Sequence, residues 1–100
     1  MSVYVDPLFT TTPKANWAYK KACHMTADTE EELHAMAERL GLKRSWFQNH
    51  HPRAVFWHYD LTVNKRRQAI DYGAVPITGQ QVLARVLAYN ERERKEKETN

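Results

Sequence analysis

The chain is poor in the residues that stabilise small extracellular domains or build thiolate sites. It has one cysteine, Cys23, among 100 residues, so an internal disulfide and a zinc site made of several thiolates are both excluded. Only three glycines are present, and no glycine-rich phosphate-binding loop can be found among them. The single cysteine favours a reduced, cytoplasmic setting.

Long apolar runs are also missing. No stretch reaches the roughly 18 apolar residues that a membrane-spanning helix needs, so we expect no membrane partner. Residues 1–9 contain Asp6 and Pro7 and lack a basic region followed by an apolar stretch. That pattern argues against a signal peptide.

The composition is that of one folded domain. Apolar residues make up 42% of the chain, which suffices for a modest core at this length. We predict a single α+β domain over residues 1–90 and a charged extension, helical or frayed, over residues 91–100. The net charge of +3 arises entirely after residue 60, where Lys65, Arg66 and Arg67 are consecutive. By itself this excess is a weak argument for nucleic acid binding.

Alternation of apolar and polar residues predicts the strands. The pattern indicates strands over residues 3–6, 17–26 and 55–59, and a short edge segment at residues 75–77, where Pro76 cannot donate to a ladder. Trp46 and Phe47 are predicted to anchor the core, and residues 48–53, which include His50 and His51, are predicted to form an exposed loop. The expected fold is a small sheet of about three strands with three helices packed against it.

Three capping signals predict the helices. Thr29 and Glu32 form a capping box before an apolar stripe that ends at Gly41. Thr62 precedes a second helix that runs to Gly73, and Thr78 begins a third. The stripe of the first helix is Leu33, Met36, Ala37 and Leu40, and the predicted buried side of the third is Val82, Leu83, Val86, Leu87 and Tyr89.

Four blocks of sequence stand out together. They are residues 3–8 (VYVDPL), 23–34 (CHMTADTEEELH), 46–48 (WFQ) and 58–62 (HYDLT), the last followed by Lys65 and Arg66. In this order they resemble a family of short bacterial and phage proteins that is catalogued only as a domain of unknown function. The resemblance covers most of residues 2–77 and implies a compact, stand-alone domain that is often encoded by phages or prophages. It implies no reaction, cofactor or catalytic residue.

Polar residues concentrate where the predicted elements begin and end. Helix N-termini present free backbone N–H groups that attract anions. Lys65 and Arg66 oppose the dipole of the second helix unless a bound anion or Asp60 faces them. We therefore predict a site for a phosphate-bearing molecule, such as a nucleotide, although a solvated helix face is the simpler interpretation of the basic residues. The predicted ligand-binding residues are Asp6, His24, Asp28, His58, Asp60, Lys65 and Arg66.

The same residues allow other interpretations. Paired with Asp28 and Asp60, His24 and His58 could form oriented acid–base dyads, and together with Asp6 they could supply metal ligands. None has the tight spacing of a metal-binding motif, so neither a metal nor another cofactor is predicted. The structural alternatives are that the aspartates cap helices and that the histidines are hydrogen-bonded in the core.

Two functions follow from these patterns. The first is a small-ligand module for a phosphate-bearing molecule, for which the sequence does not decide between binding and hydrolysis. The alternative is a phage or prophage accessory protein in the host cytoplasm that binds a host protein or nucleic acid. The third helix could also pack on a second copy of the chain and form an oligomer.

Overall fold

The computed structural model describes residues 2–11, 19–48 and 57–98, with side chains throughout except those of Val86, Tyr89, Asn90 and residues 92–98. These ranges form an α+β fold, as predicted, with more strands than the three or so expected. The strands are β1 (Val3–Val5), β2 (Phe9–Thr10), β3 (Lys21–Ala27), β4 (Tyr59–Leu61) and β5 (Val75–Pro76). The helices are α1 (Glu30–Arg39), α2 (Val63–Asp71) and α3 (Gly79–Glu98), and a short 3-10 helix (Arg44–Trp46) follows α1.

β3 is the central strand of a mixed sheet. It pairs antiparallel with β1, β2 and β4, and β5 adds to β1 in parallel. β5 lies within the edge segment predicted at residues 75–77, whereas β2 was not predicted, because its two residues are too few for an alternating pattern to be visible. The strand predicted at residues 55–59 is observed later in the chain, as β4. The strand predicted at residues 17–26 is observed as β3. Trp17, His50, His51 and residues 55–56 lie outside the described residues.

The core lies between one face of the sheet and helices α1 and α2. Successive strand side chains alternate between the two faces, so Cys23, Met25 and Ala27 share one face of β3. All three are buried there. The apolar stripe predicted for α1 covers this face, and its four members are buried. The core cluster comprises Val3, Val5, Cys23, Met25, Ala27, Leu33, Met36, Ala37, Leu40, Tyr59, Leu61, Ala69 and Ala74.

The predicted helix starts are confirmed. The Thr29 hydroxyl accepts from the backbone N–H of Glu32 at 3.2 Å, and Thr62 and Thr78 accept in the same way from the third residue after each. Each hydroxyl satisfies one of the backbone donors that a helix start leaves without an intrahelical partner. Gly41 and Gly73 follow α1 and α2 with φ of 77° and 108°, which is the left-handed region that favours glycine.

Two predictions about burial are wrong. Leu83 and Leu87 of α3 were expected in the core but are 59% and 58% exposed, because α3 follows the edge strand β5 and contributes no residue to the described core. Trp46 is 51% exposed, and Phe47 alone of that pair packs against the core. The side chains of Val86 and Tyr89 lie outside the described ones.

The length and apolarity of the helices bear on a membrane location. Over the described parts of the chain, none combines the length and the apolar character that crossing a bilayer requires.

Candidate functional site

Asp6 and His24 meet because the first strand is interrupted. Val5 is the last residue of β1, and Pro7 cannot donate a backbone hydrogen bond, so the regular ladder between β1 and β3 stops at Asp6. The Asp6 N–H still donates to the His24 carbonyl at 3.1 Å. In return, the His24 N–H donates to the Asp6 carboxylate at 2.6 Å. The carboxylate thus accepts a backbone bond that a regular antiparallel pair would give to a carbonyl.

The second oxygen of the Asp6 carboxylate orients the His24 ring. Nδ1 of His24 lies 2.7 Å from Oδ2 of Asp6. A carboxylate on one ring nitrogen fixes the tautomer, with the proton on Nδ1, and the unprotonated nitrogen Nε2 lies on the side of Asp60. Asp6 is 9% exposed, so its charge is held close to the imidazole with little screening by solvent.

β4 brings a second histidine–aspartate pair to the same face. Asp60 is directly opposite His24 in the antiparallel register, and His58 shares its face because it lies two residues earlier. Nε2 of His58 is 3.4 Å from Oδ1 of Asp60, and Nε2 of His24 is 3.9 Å from the same oxygen. Gln48 forms an isolated bridge with His58 and donates from Nε2 to Oδ2 of Asp60 at 2.7 Å.

These four residues, Asp6, His24, His58 and Asp60, are called the His–Asp cluster below. The two imidazole rings lie 4.7 Å apart at an angle of 84°, and Phe9 stacks on His24 at 4.9 Å. The side chains of His24 and Asp60 are each 33% exposed, and that of His58 is 18% exposed. The cluster therefore lies on the sheet face opposite the core, with three of its side chains partly exposed.

The contacts within the cluster shift its ionisation. The hydrogen bond that His24 donates to the Asp6 carboxylate raises the pKa of His24 against the opposing effect of burial. Burial favours the neutral form of Asp60, but hydrogen bonds from His58 and Gln48 outweigh it and lower the pKa of this carboxyl. Asp60 is consequently an anion that faces two imidazole nitrogens.

The basic residues of α2 have different positions. Arg66 donates from Nε to the Asp6 carbonyl at 3.0 Å and so supports the cluster from the helix. Lys65 donates from Nζ to the Leu40 carbonyl at 2.6 Å, at the end of α1. The unfavourable location of both cations in the first turns of α2 is thus offset by backbone carbonyls, and not by the anion or the Asp60 carboxylate that we predicted from the sequence.

Asp28 lies elsewhere. It accepts from the Ser2 N–H at 2.8 Å and from the Tyr4 hydroxyl, and it contacts Nη1 of Arg85 at 3.3 Å. Its partners therefore join the start of β1 to α3, and Asp6 takes the place beside His24 that the sequence suggested for Asp28. His24 itself is in the middle of β3 rather than at its end.

His34 and Cys23 are two further side chains with reactive groups, and they lie beside the core and in it. Nδ1 of His34 is 2.8 Å from the Tyr59 hydroxyl, and its ring packs edge-on against Phe47. Burial raises the pKa of the Cys23 thiol to about 12, so at neutral pH it is not a thiolate nucleophile. Cys23 is part of the buried core cluster.

An open groove of about 550 Å³ runs beside the start of α2. Its lining includes Thr62 and Asn64 together with three lysines, Lys20, Lys21 and Lys65. This is the region in which the sequence analysis located an anion at a helix N-terminus. The residues that line this groove do not include any member of the His–Asp cluster.

Sequence reasoning missed two members of the site. Gln48 was predicted to begin the exposed loop over residues 48–53. It instead forms a bridge with His58, directly after the apolar pair Trp46 and Phe47. Phe9 was not considered, and no local signal marks it, because its stacking on His24 depends on the pairing of β2 with β3.

Fold and site together define a small α+β domain with a histidine–carboxylate centre on the open face of its sheet. A family model described as "Protein of unknown function (DUF4031)" matches residues 3–89. The chain belongs to this family. No curated protein and no solved structure matches the chain.

Proposed function

We propose that this domain binds a phosphate-bearing small molecule, such as a nucleotide, at the His–Asp cluster. The observation that carries the proposal is the convergence of Asp6, His24, His58 and Asp60 from three separate chain segments onto the sheet face opposite the core. Core histidines would have their rings enclosed, whereas the His24 side chain is 33% exposed.

The surroundings of the cluster favour a nucleotide over a bare phosphate ion. Phe9 is 39% exposed and stacks on His24, so part of a flat aromatic surface lies beside the polar groups. Nucleobases stack on such surfaces, and each stacked base contributes roughly 1–3 kcal/mol. The imidazoles would then face the phosphate end of the ligand.

A thermal-shift screen of nucleotides and sugar phosphates, run with and without added Zn²⁺, tests this proposal. We expect at least one compound to raise the melting temperature of the wild-type protein and His24→Asn to abolish the response. Release of inorganic phosphate, followed in the same samples, tests for hydrolysis.

Lys65→Ala is the matched comparison. Lys65 lines the groove beside α2 and donates to the Leu40 carbonyl, and neither the described groove lining nor this hydrogen bond includes a residue of the cluster. The proposal requires this variant to keep the response. A response lost with Lys65→Ala and kept with His24→Asn would assign the ligand to the groove and contradict the proposed location.

The exposed leucines of α3 favour a second candidate function, protein binding. Leu83 and Leu87 are one helical turn apart on the same face. Residues 91–98 carry four acidic and four basic side chains, which suits an antiparallel contact with an identical helix. A second copy of the chain is therefore the partner we propose.

Light scattering coupled to gel filtration tests the second candidate. We expect a dimer at micromolar concentration and a monomer for the double variant Leu83→Glu/Leu87→Glu. A wild-type protein that is monomeric at every concentration would contradict it.

The cellular setting belongs to the proposal as well. The buried, unpaired Cys23 suits a reduced cytoplasm, which is the host cytoplasm if the protein is encoded by a phage or prophage. An accessory role through a host protein or nucleic acid is the alternative to the small-ligand function.

A further inference from the structure

We propose that the His–Asp cluster is a binding site for a first-row divalent metal ion, zinc in particular, with His24, His58 and Asp60 as its ligands. The proposal deepens the function proposed above, on which its role in ligand binding rests. The metal site itself stands on the geometry of the described residues.

The spacing of the ligand atoms is the first observation. One ligand atom from each of His24, His58 and Asp60 lies within 4.8 Å of the other two. Ligand atoms that share a tetrahedral zinc ion at about 2.0–2.2 Å lie roughly 3.3–3.6 Å apart. The separation of 3.4 Å between His58 and Asp60 already meets this value, and that of 3.9 Å between His24 and Asp60 closes with a small side-chain rotation.

The supporting contacts are the second observation. A metal-bound histidine usually donates its other ring N–H to a carboxylate or carbonyl, which fixes the ring and its tautomer. Asp6 accepts from Nδ1 of His24 at 2.7 Å and directs Nε2 toward Asp60. Gln48 holds the far oxygen of Asp60 at 2.7 Å, so Oδ1 is the oxygen that faces both imidazoles.

The donor types decide the kind of metal. Two imidazole nitrogens and one carboxylate oxygen suit zinc, manganese, iron or cobalt, whereas calcium and magnesium prefer oxygen alone. Three protein ligands leave at least one coordination position for water or for an oxygen of a bound molecule.

A metal would also solve an electrostatic difficulty of the proposed function. Two carboxylates lie close to the His24 ring, Asp6 at 2.7 Å from Nδ1 and Asp60 at 3.9 Å from Nε2, and their charges repel a phosphate bound at the cluster. A divalent cation between His24, His58 and Asp60 balances both charges and offers its open position to a phosphate oxygen.

The experiment is a calorimetric titration of the chelator-treated full chain with Zn²⁺ alone, repeated with Co²⁺ and visible absorption. We expect one ion per chain and a cobalt spectrum of nitrogen and oxygen ligation. His58→Asn and Asp60→Asn should each weaken affinity at least tenfold. His34→Asn, which changes a histidine outside the cluster, should leave it unchanged.

A double variant, His50→Asn/His51→Asn, tests whether the ion binds instead at these two histidines, which are consecutive in the sequence. The proposal is overturned if no ion binds at millimolar concentration, or if binding survives His58→Asn and disappears with this double variant. The metal titration contains no phosphate compound, so its outcome does not depend on the result of the nucleotide screen. Metal binding without any nucleotide response would remove the proposed function and keep the metal site, and a metal-independent nucleotide response would do the reverse.

Discussion

Replacing Leu33 by alanine is expected to lower the free energy of unfolding by about 2–5 kcal/mol, as large-to-small changes in packed cores do. Leu33 is 0% exposed and belongs to the stripe of α1 that covers the central strand. The smaller side chain gives up buried apolar surface and leaves a cavity that the neighbouring strand cannot fill. Urea unfolding followed by circular dichroism measures the change.

Leu83→Ala is the matched control for this substitution, since it removes the same atoms from an exposed helix position. Measured at a concentration where the chain is monomeric, it should alter the unfolding free energy by no more than about 0.5 kcal/mol. Equal effects of the two substitutions would contradict this difference in packing between Leu33 of α1 and Leu83 of α3.

Asp6→Asn is expected to lower the affinity for zinc by about 10–100-fold while the chain remains folded. The asparagine oxygen can still accept from the His24 backbone N–H. Its amide group, however, donates to Nδ1, so the neutral ring carries its proton on Nε2, the atom that would bind the metal. Calorimetric titration measures the affinity, and the histidine tautomer can be read from ¹⁵N chemical shifts.

Asp28→Asn is the control for the tautomer argument. Asp28, like Asp6, is a carboxylate that accepts from a backbone N–H and from side chains, but it lies at the surface and its partners are Ser2, Tyr4 and Arg85. Its substitution should leave the zinc affinity unchanged. If both asparagine variants bind zinc as tightly as the wild type, Asp6 does not position His24 for a metal.

The local signals of the sequence predicted the helices well. The hydroxyls of Thr29, Thr62 and Thr78 each accept from the backbone N–H three residues later, so both partners of the hydrogen bond lie within one helical turn. The buried face of α1 follows from the same short periodicity. The exposed face of α3 could not be predicted this way, because an apolar stripe indicates that a helix has a partner but does not identify it.

Only the part of the candidate site that lies within one short stretch of sequence could be predicted. His58 and Asp60 are two residues apart on one strand, so their shared face follows from strand geometry alone. The partner of His24 depends on strand pairing, and Asp6 reaches it across 18 positions of sequence. Asp28 is nearer along the chain, but it lies past the end of β3 and turns toward Ser2.

The central claim is that the His–Asp cluster is the functional centre of the domain and holds a metal ion. An anomalous difference map from crystals soaked in Co²⁺, recorded at the cobalt edge, tests it most directly. The account predicts a peak about 2.0–2.2 Å from Nε2 of His24, Nε2 of His58 and Oδ1 of Asp60. Cobalt bound to other residues, with no peak between these three atoms, would contradict it.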